Sequence, residues 1–181
     1  NSFFDTDRTS IARLSWSLYP YLDTSLFDPD DPIRFTVGAE LLTKYKLLPS
    51  TSISGSLRQP IAGTLDDIKR GPKRGLPNVR SDFMHYHRDV SNNLFINNLT
   101  LDQYFKPSPN IYGLVNIGFL EFMYAGIRTE VIWKDNTKPY GFGIDFAQVQ
   151  KRDTNGQFKL KDEHFNTYLT SIYYDLQNDW I

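Results

Sequence analysis

Between residues 62 and 94 the chain gathers Lys69, Arg70, Lys73, Arg74, Arg80 and Arg88 around Gly71, Pro72, Gly75 and Pro77, with Asp66 and Asp67 just ahead. The chemistry available to such a cluster is anion capture, because guanidinium groups meet carboxylate or phosphate through paired hydrogen bonds. Acidic sugars and lipopolysaccharide phosphates are ligands of that class; the plain alternative is a solvated loop pinned by its own Asp–Arg pairs. A second set of charges, Arg34, Glu40, Lys44, Asp102, Arg128, Glu130 and Asp145, stands singly within otherwise alternating apolar stretches. On strands these charges fall opposite the apolar face. They either recognise a polar chain or fill a narrow interior with cross-strand pairs, each pair contributing about 0.2–1 kcal/mol. We read them first as structural filling.

Other constellations carry less. His85 and His87 lie two apart, so on a strand their imidazoles share a face, and His164 adds a third nitrogen. Zinc needs three or four converging ligands with supporting bonds of their own, and no metal or other cofactor is expected. Asp28, Asp30 and Asp31 alternate with Pro29 and Pro32, which is turn chemistry without the terminal glutamate of a calcium loop. Ser81, Asp82 and His85 have the residue types of a hydrolytic triad, yet a triad is defined by geometry and not by closeness in sequence. There is no G-x-S-x-G, H-E-x-x-H or Walker sequence, and residues 71–75 lack P-loop spacing. No catalytic residue is assigned and no enzymatic activity is expected.

The elements that must position these groups are strands. In residues 33–48 the odd positions Ile33, Phe35, Val37, Ala39, Leu41, Tyr45 and Leu47 are apolar, and Arg34, Thr36, Gly38, Glu40, Lys44 and Lys46 alternate with them. A run of this length far exceeds the usual strand of about 5–6 residues and suits a tilted membrane crossing. Similar alternation marks residues 11–22, 51–61, 95–106, 127–133, 140–150 and 166–176, while residues 111–123 are apolar on both faces. Arginine or lysine facing lipid at mid-membrane costs about 2–4 kcal/mol, so the charged faces are assigned inward. Trp16, Trp133, Tyr140, Tyr168, Tyr173 and Tyr174 are read as interface girdles, with sugar stacking as the alternative.

Turn chemistry supports a spanning arrangement. Leu48-Pro49-Ser50, residues 107–110 and residues 135–138 are compact turns. If residues 62–94 form one long mouth loop, these three fall on one side, and residues 23–32, the loop, Tyr124-Ala125-Gly126 and residues 153–165 fall on the other. Bacterial outer-membrane barrels divide their connections in this way. Counting residues 79–88 as a ninth spanning strand would break the parity, so that stretch is placed above the membrane. The expected fold is all-β: an antiparallel transmembrane β-barrel, or an arc of a larger one, with about eight strands in a single domain over residues 1–181.

Composition agrees with this. The formal net charge of -1 gives no basic field for nucleic acid. Aromatics make up 15% of the residues and the mean hydropathy is -0.45, so the chain is polar on average yet rich in interface-seeking rings. It has no cysteine and no apolar run long enough for a membrane helix. The opening Asn1-Ser2-Phe3-Phe4 has neither initiator Met nor the regions of a signal peptide, and we read the chain as a mature or excised segment of a longer one.

Four ordered stretches carry a family resemblance: residues 52–68 (SISGSLRQPIAGTLDDI), 75–89 (GLPNVRSDFMHYHRD), 99–133 (LTLDQYFKPSPNIYGLVNIGFLEFMYAGIRTEVIW) and 141–153 (GFGIDFAQVQKRD). The most specific are Leu76-Pro77 followed by Val79-Arg80-Ser81-Asp82, and the block holding Glu121, Met123, Gly126 and Glu130. The chain resembles the YjbH family of outer-membrane β-barrel proteins. That resemblance implies a part in exopolysaccharide or capsule biosynthesis, assembly or export. The partners it implies are outer-membrane lipid and lipopolysaccharide, the exopolysaccharide itself and other export proteins. Two other readings of the same residues are a soluble β-sandwich carbohydrate-binding module and a barrel lipid hydrolase.

Overall fold

The computed structural model describes residues 13–26, 32–65, 86, 93–153 and 158–175. Eight strands run in order: β1 (Leu14–Leu26), β2 (Ile33–Leu48), β3 (Thr51–Gly63), β4 (Phe95–Ser108), β5 (Ile111–Phe119), β6 (Tyr124–Lys134), β7 (Tyr140–Arg152) and β8 (Leu160–Tyr174). They form one sheet in chain order, with every neighbouring pair antiparallel. An up-and-down order puts alternate connections on opposite ends. The short turns at residues 49–50, 109–110 and 135–139 therefore share one end, and residues 27–32, 64–94, 120–123 and 153–159 share the other.

Several boundaries differ from the sequence expectation: β1 runs over Leu14–Leu26 and not residues 11–22, and two further differences have a clear physical reason. Tyr124-Ala125-Gly126 is not the link between the fifth and sixth strands but the start of β6; the link is residues 120–123. Gly118 and Gly126 face each other across this hairpin with φ of +135° and +157°. A Cβ at Gly126 would strike the Gln148 carbonyl of β7, so glycine is required there by a close backbone approach within a ladder. The other difference is β8, which begins at Leu160 and not near Asn166. Its first turn-side residues, Lys161-Asp162-Glu163-His164, show no apolar alternation because they pair with the polar end of β7 around Gln150 and Arg152.

The two faces of the sheet are unlike. Leu18, Ile61, Ile144 and Ile172 on the apolar face are 63–78% exposed. Ser52, Ser56 and Asp102 on the polar face are 2–5% exposed. No second sheet covers the apolar face among the described residues, so the core that a β-sandwich requires is absent from them. Shielding of the polar face comes from long side chains that lean across it. Strands two apart are separated by about 9.6 Å, and Asp23 of β1 and Arg58 of β3 span that gap to meet at 3.2 Å. Glu40 of β2 similarly accepts from Asn97 of β4 at 3.2 Å.

β1 and β8 each pair with one neighbour. The Lys46 amide donates to the Arg13 carbonyl at 2.7 Å, which sets the odd residues of β1 as those bonded to β2. The even residues, Pro20 among them, then direct their backbone to the free edge. Proline is tolerated at such an edge because no ladder bond is lost to the existing neighbour.

Candidate functional site

The polar face holds every charge that the sequence assigned inward. Arg58 sits between two carboxylates, Asp23 at 3.2 Å and Glu40 at 3.1 Å, and its guanidinium lies 4.7 Å from the centre of the Tyr21 ring. That ring lies against Gly38, where a Cβ would collide with it. Glu40 also accepts from Asn97, whose amide donates to Ser56 at 3.1 Å. One chain of contacts thus runs across β1 to β4, and removing any member leaves a half-buried polar group short of a partner.

Asp102 is held differently. It has no ion pair, but its carboxylate accepts from Ser54, from Thr100 at 2.7 Å and from Asn116 at 2.7 Å. Three donors are enough to offset the desolvation of a carboxylate that is 5% exposed. Further round, Glu130 and Asp145 face each other directly in the β6–β7 register, an arrangement that is repulsive on its own. Arg128 resolves it by donating to Asp145 and to Glu130, the latter at 3.4 Å. Glu40, Asp102, Arg128, Glu130 and Asp145 are thus each engaged by other polar side chains of the same face. Arg34 is buried and donates to the Thr64 carbonyl at 3.5 Å.

Lys44 departs from this pattern. Its ammonium meets the Tyr104 hydroxyl at 3.5 Å and stands 5.3 Å from that ring's centre, and no carboxylate pairs with it. Three more lysines share its face near the short turns by register: Lys46, Lys106 and Lys134. Lys106 stands 4.6 Å from the Tyr112 ring centre and Lys134 donates to the Lys138 carbonyl at 2.8 Å. Of these four, the sequence assigned only Lys44 as an inward charge, although Lys46 lies in the same polar row of residues 33–48. Strand parity would have added Lys134, but nothing in the sequence showed which of the four find acidic partners. Beside Lys44 is a hollow of about 240 Å³, lined on the polar face by Ser15, Ser17, Leu42, Lys44, Ser54 and Asn98.

The opposite end is closed. β4 overhangs the end of β5, since Phe119 pairs with Leu99 and leaves residues 95–98 beyond it. Arg152 bridges that gap, donating to the carbonyls of Ile96 at 2.9 Å, Asn97 at 3.2 Å and Glu121 at 3.0 Å. Its guanidinium also lies 4.2 Å from the Phe119 ring centre. Tyr86, the one described residue between positions 66 and 92, is 1% exposed and donates to the Arg152 carbonyl. Around it Phe95, Phe122, Met123, Tyr124 and Val149 form the apolar cluster of the sheet.

Of the mouth-loop cations, Lys69, Arg70, Lys73, Arg74, Arg80 and Arg88 lie outside the described residues, as do Ser81, Asp82, His85, His87 and the Asp28–Asp31 turn. His164 shares the face of Tyr168 on β8, away from the polar groups. Of the aromatics read as girdle candidates, Trp133 and Tyr140 have rings 6.0 Å apart beside the 135–138 turn, with Lys138 above them. Tyr174 pairs with Tyr140. Tyr173 is on the other side of the sheet: it points to the polar face over Gly143, because its parity is opposite to that of Tyr174. Tyr168 sits in mid-strand against Phe146 at 5.0 Å.

Such a face can bind a polyhydroxylated chain by many weak hydrogen bonds. Comparison with known proteins identifies relatives of the chain. The family described as YjbH, exopolysaccharide biosynthesis protein YbjH, matches residues 3–181. The chain is 25% identical over 170 residues to a protein of Escherichia coli (strain K12) named "Uncharacterized lipoprotein YjbH", an alignment covering 88% of this chain and 24% of that protein. The chain thus spans about a quarter of the length of that relative. No solved structure matches it.

Proposed function

The chain belongs to the YjbH family of exopolysaccharide biosynthesis proteins, and on that premise we propose that it forms an arc of an outer-membrane β-barrel serving exopolysaccharide assembly or export. The observation that carries this is the inverted burial of the sheet. Its large apolar side chains are the exposed ones, and its charges and hydroxyls are the shielded ones. Water disfavours such an arrangement, whereas a bilayer outside and a wet lumen inside favour it. The aromatic stack of Trp133, Tyr140 and Phe142 with Lys138 at the turn end suits a headgroup interface.

In this reading the two free edges are paired by further strands, because lipid does not tolerate unsatisfied backbone groups. The lumen wall works without covalent chemistry, by shape, polarity and multiple hydrogen bonds to the polysaccharide. Lipopolysaccharide and other export proteins are its neighbours. The relative's name as a lipoprotein supports a membrane location.

The test is fractionation of cells making the full-length protein, followed by alkaline carbonate extraction. Retention in the outer-membrane fraction until detergent is added is expected, together with loss of secreted polysaccharide when the gene is deleted. Release by carbonate alone overturns the reading.

A further inference from the structure

Resting on that reading, we infer that the short-turn half of the polar face is a binding track for an acidic polysaccharide, with the hollow at Lys44 seating a carboxylate-bearing sugar. Three other cations of this sheet are paired with carboxylates: Arg58 with Asp23 and Glu40, Arg128 with Asp145 and Glu130, Lys151 with Glu163 at 2.7 Å. Among the described residues Lys44, Lys46 and Lys106 form no ion pair, while Lys134 has the Asp135 carboxylate of the adjoining turn near it. The buried carboxylate in their neighbourhood, Asp102, has its oxygens occupied by Ser54, Thr100 and Asn116. The face is thus balanced through its middle and positive towards the short turns. Lumen walls of one sign, backed by low-dielectric material, focus field and concentrate counter-ions.

The ligand class follows from what surrounds the charge. Ser15, Ser17, Ser54 and Asn98 line the hollow beside Lys44; hydroxyl and amide groups both donate and accept, as sugar hydroxyls do. At about 240 Å³ the hollow is smaller than the roughly 300–1,000 Å³ pockets that enclose a drug-sized ligand. It therefore seats one ring of a chain and leaves the chain free to pass along the wall. Tyr104 and Tyr112 hold the Lys44 and Lys106 ammonium groups in place, so less side-chain freedom is lost when an anion arrives.

The full-length protein in lipid nanodiscs tests this by calorimetry with three probes: an oligogalacturonate, a maltooligosaccharide of equal length and inorganic polyphosphate. The oligogalacturonate is expected to bind at least about tenfold more tightly than the neutral chain, the gap expected for one charge-assisted contact. Raising salt should narrow that difference. Lys44→Gln and Lys106→Gln should each remove most of the preference while leaving the thermal midpoint in place. Equal affinity for the acidic and neutral chains overturns the inference, and so does an unchanged preference in both variants. Polyphosphate binding as tightly as oligogalacturonate reduces the track to an ion exchanger and overturns the saccharide assignment. A protein that resists carbonate extraction yet shows no preference refutes this inference alone, whereas release by carbonate refutes the barrel reading beneath it.

Discussion

The two ends of the sheet use cations in opposite ways. At the mouth-loop end Arg152 is buried, spends its donors on three backbone carbonyls and sits beneath Tyr86 and an apolar cluster. At the short-turn end Lys44, Lys46 and Lys106 stand on the same side of the sheet without a carboxylate partner among the described residues. A guanidinium saturated by main chain is a structural clamp, since its loss strands several acceptors at once. An ammonium without an acidic partner adds little to the fold and leaves its charge available. The contrast separates a part of the sheet that holds shape from the part to which we assign ligand contact.

Replacing the clamp should do the most damage. Arg152→Met keeps much of the volume but removes the donors to Ile96, Asn97 and Glu121, and a loss of about 3 kcal/mol is expected. Chemical denaturation in detergent would measure it, and an unchanged midpoint would erase the distinction between the ends. Next comes the middle of the face. Arg128→Gln exposes the Glu130–Asp145 repulsion and should cost about 1 kcal/mol. Adding Asp145→Asn should return part of that loss, and a double-mutant cycle with no coupling would show that the pair does not need its arginine.

At the short-turn end, Lys46→Gln should change stability by less than about 0.5 kcal/mol, a result that sharpens the comparison if the same change alters ligand binding. The smallest effect belongs to the turn at Asp135. Hydrogen bonds from the Thr137 hydroxyl and amide hold its carboxyl below the usual carboxylate range. A depressed folded-state pKa means that the contribution is present above the unfolded value and is lost as pH falls through the folded one. Acid titration should thus show a slight weakening of this turn that Asp135→Ala abolishes, seen as amide exchange at Thr137.

Much of this architecture was legible in the residues. The β2 and β3 alternations placed their faces correctly, and the compact turns at residues 49–50, 109–110 and 135–138 set the up-and-down order. Two stretches misled for a physical reason. Tyr124-Ala125-Gly126 looked like a turn, but Gly126 is there for close approach to Gln148. Residues 160–165 looked like a loop because charge hid a strand that polar neighbours hold in register.

Side-chain period is a local property of the backbone, two residues per repeat, and so the chain by itself determined which residues are greasy, which are wet and which strands follow one another. Pairing is not local. Asn97 meets Glu40 across 57 positions and Arg58 meets Asp23 across 35. Which cations would be neutralised and which left open was decided only when register brought distant strands together, since an ion pair forms on distances of a few ångströms that no spacing in sequence encodes.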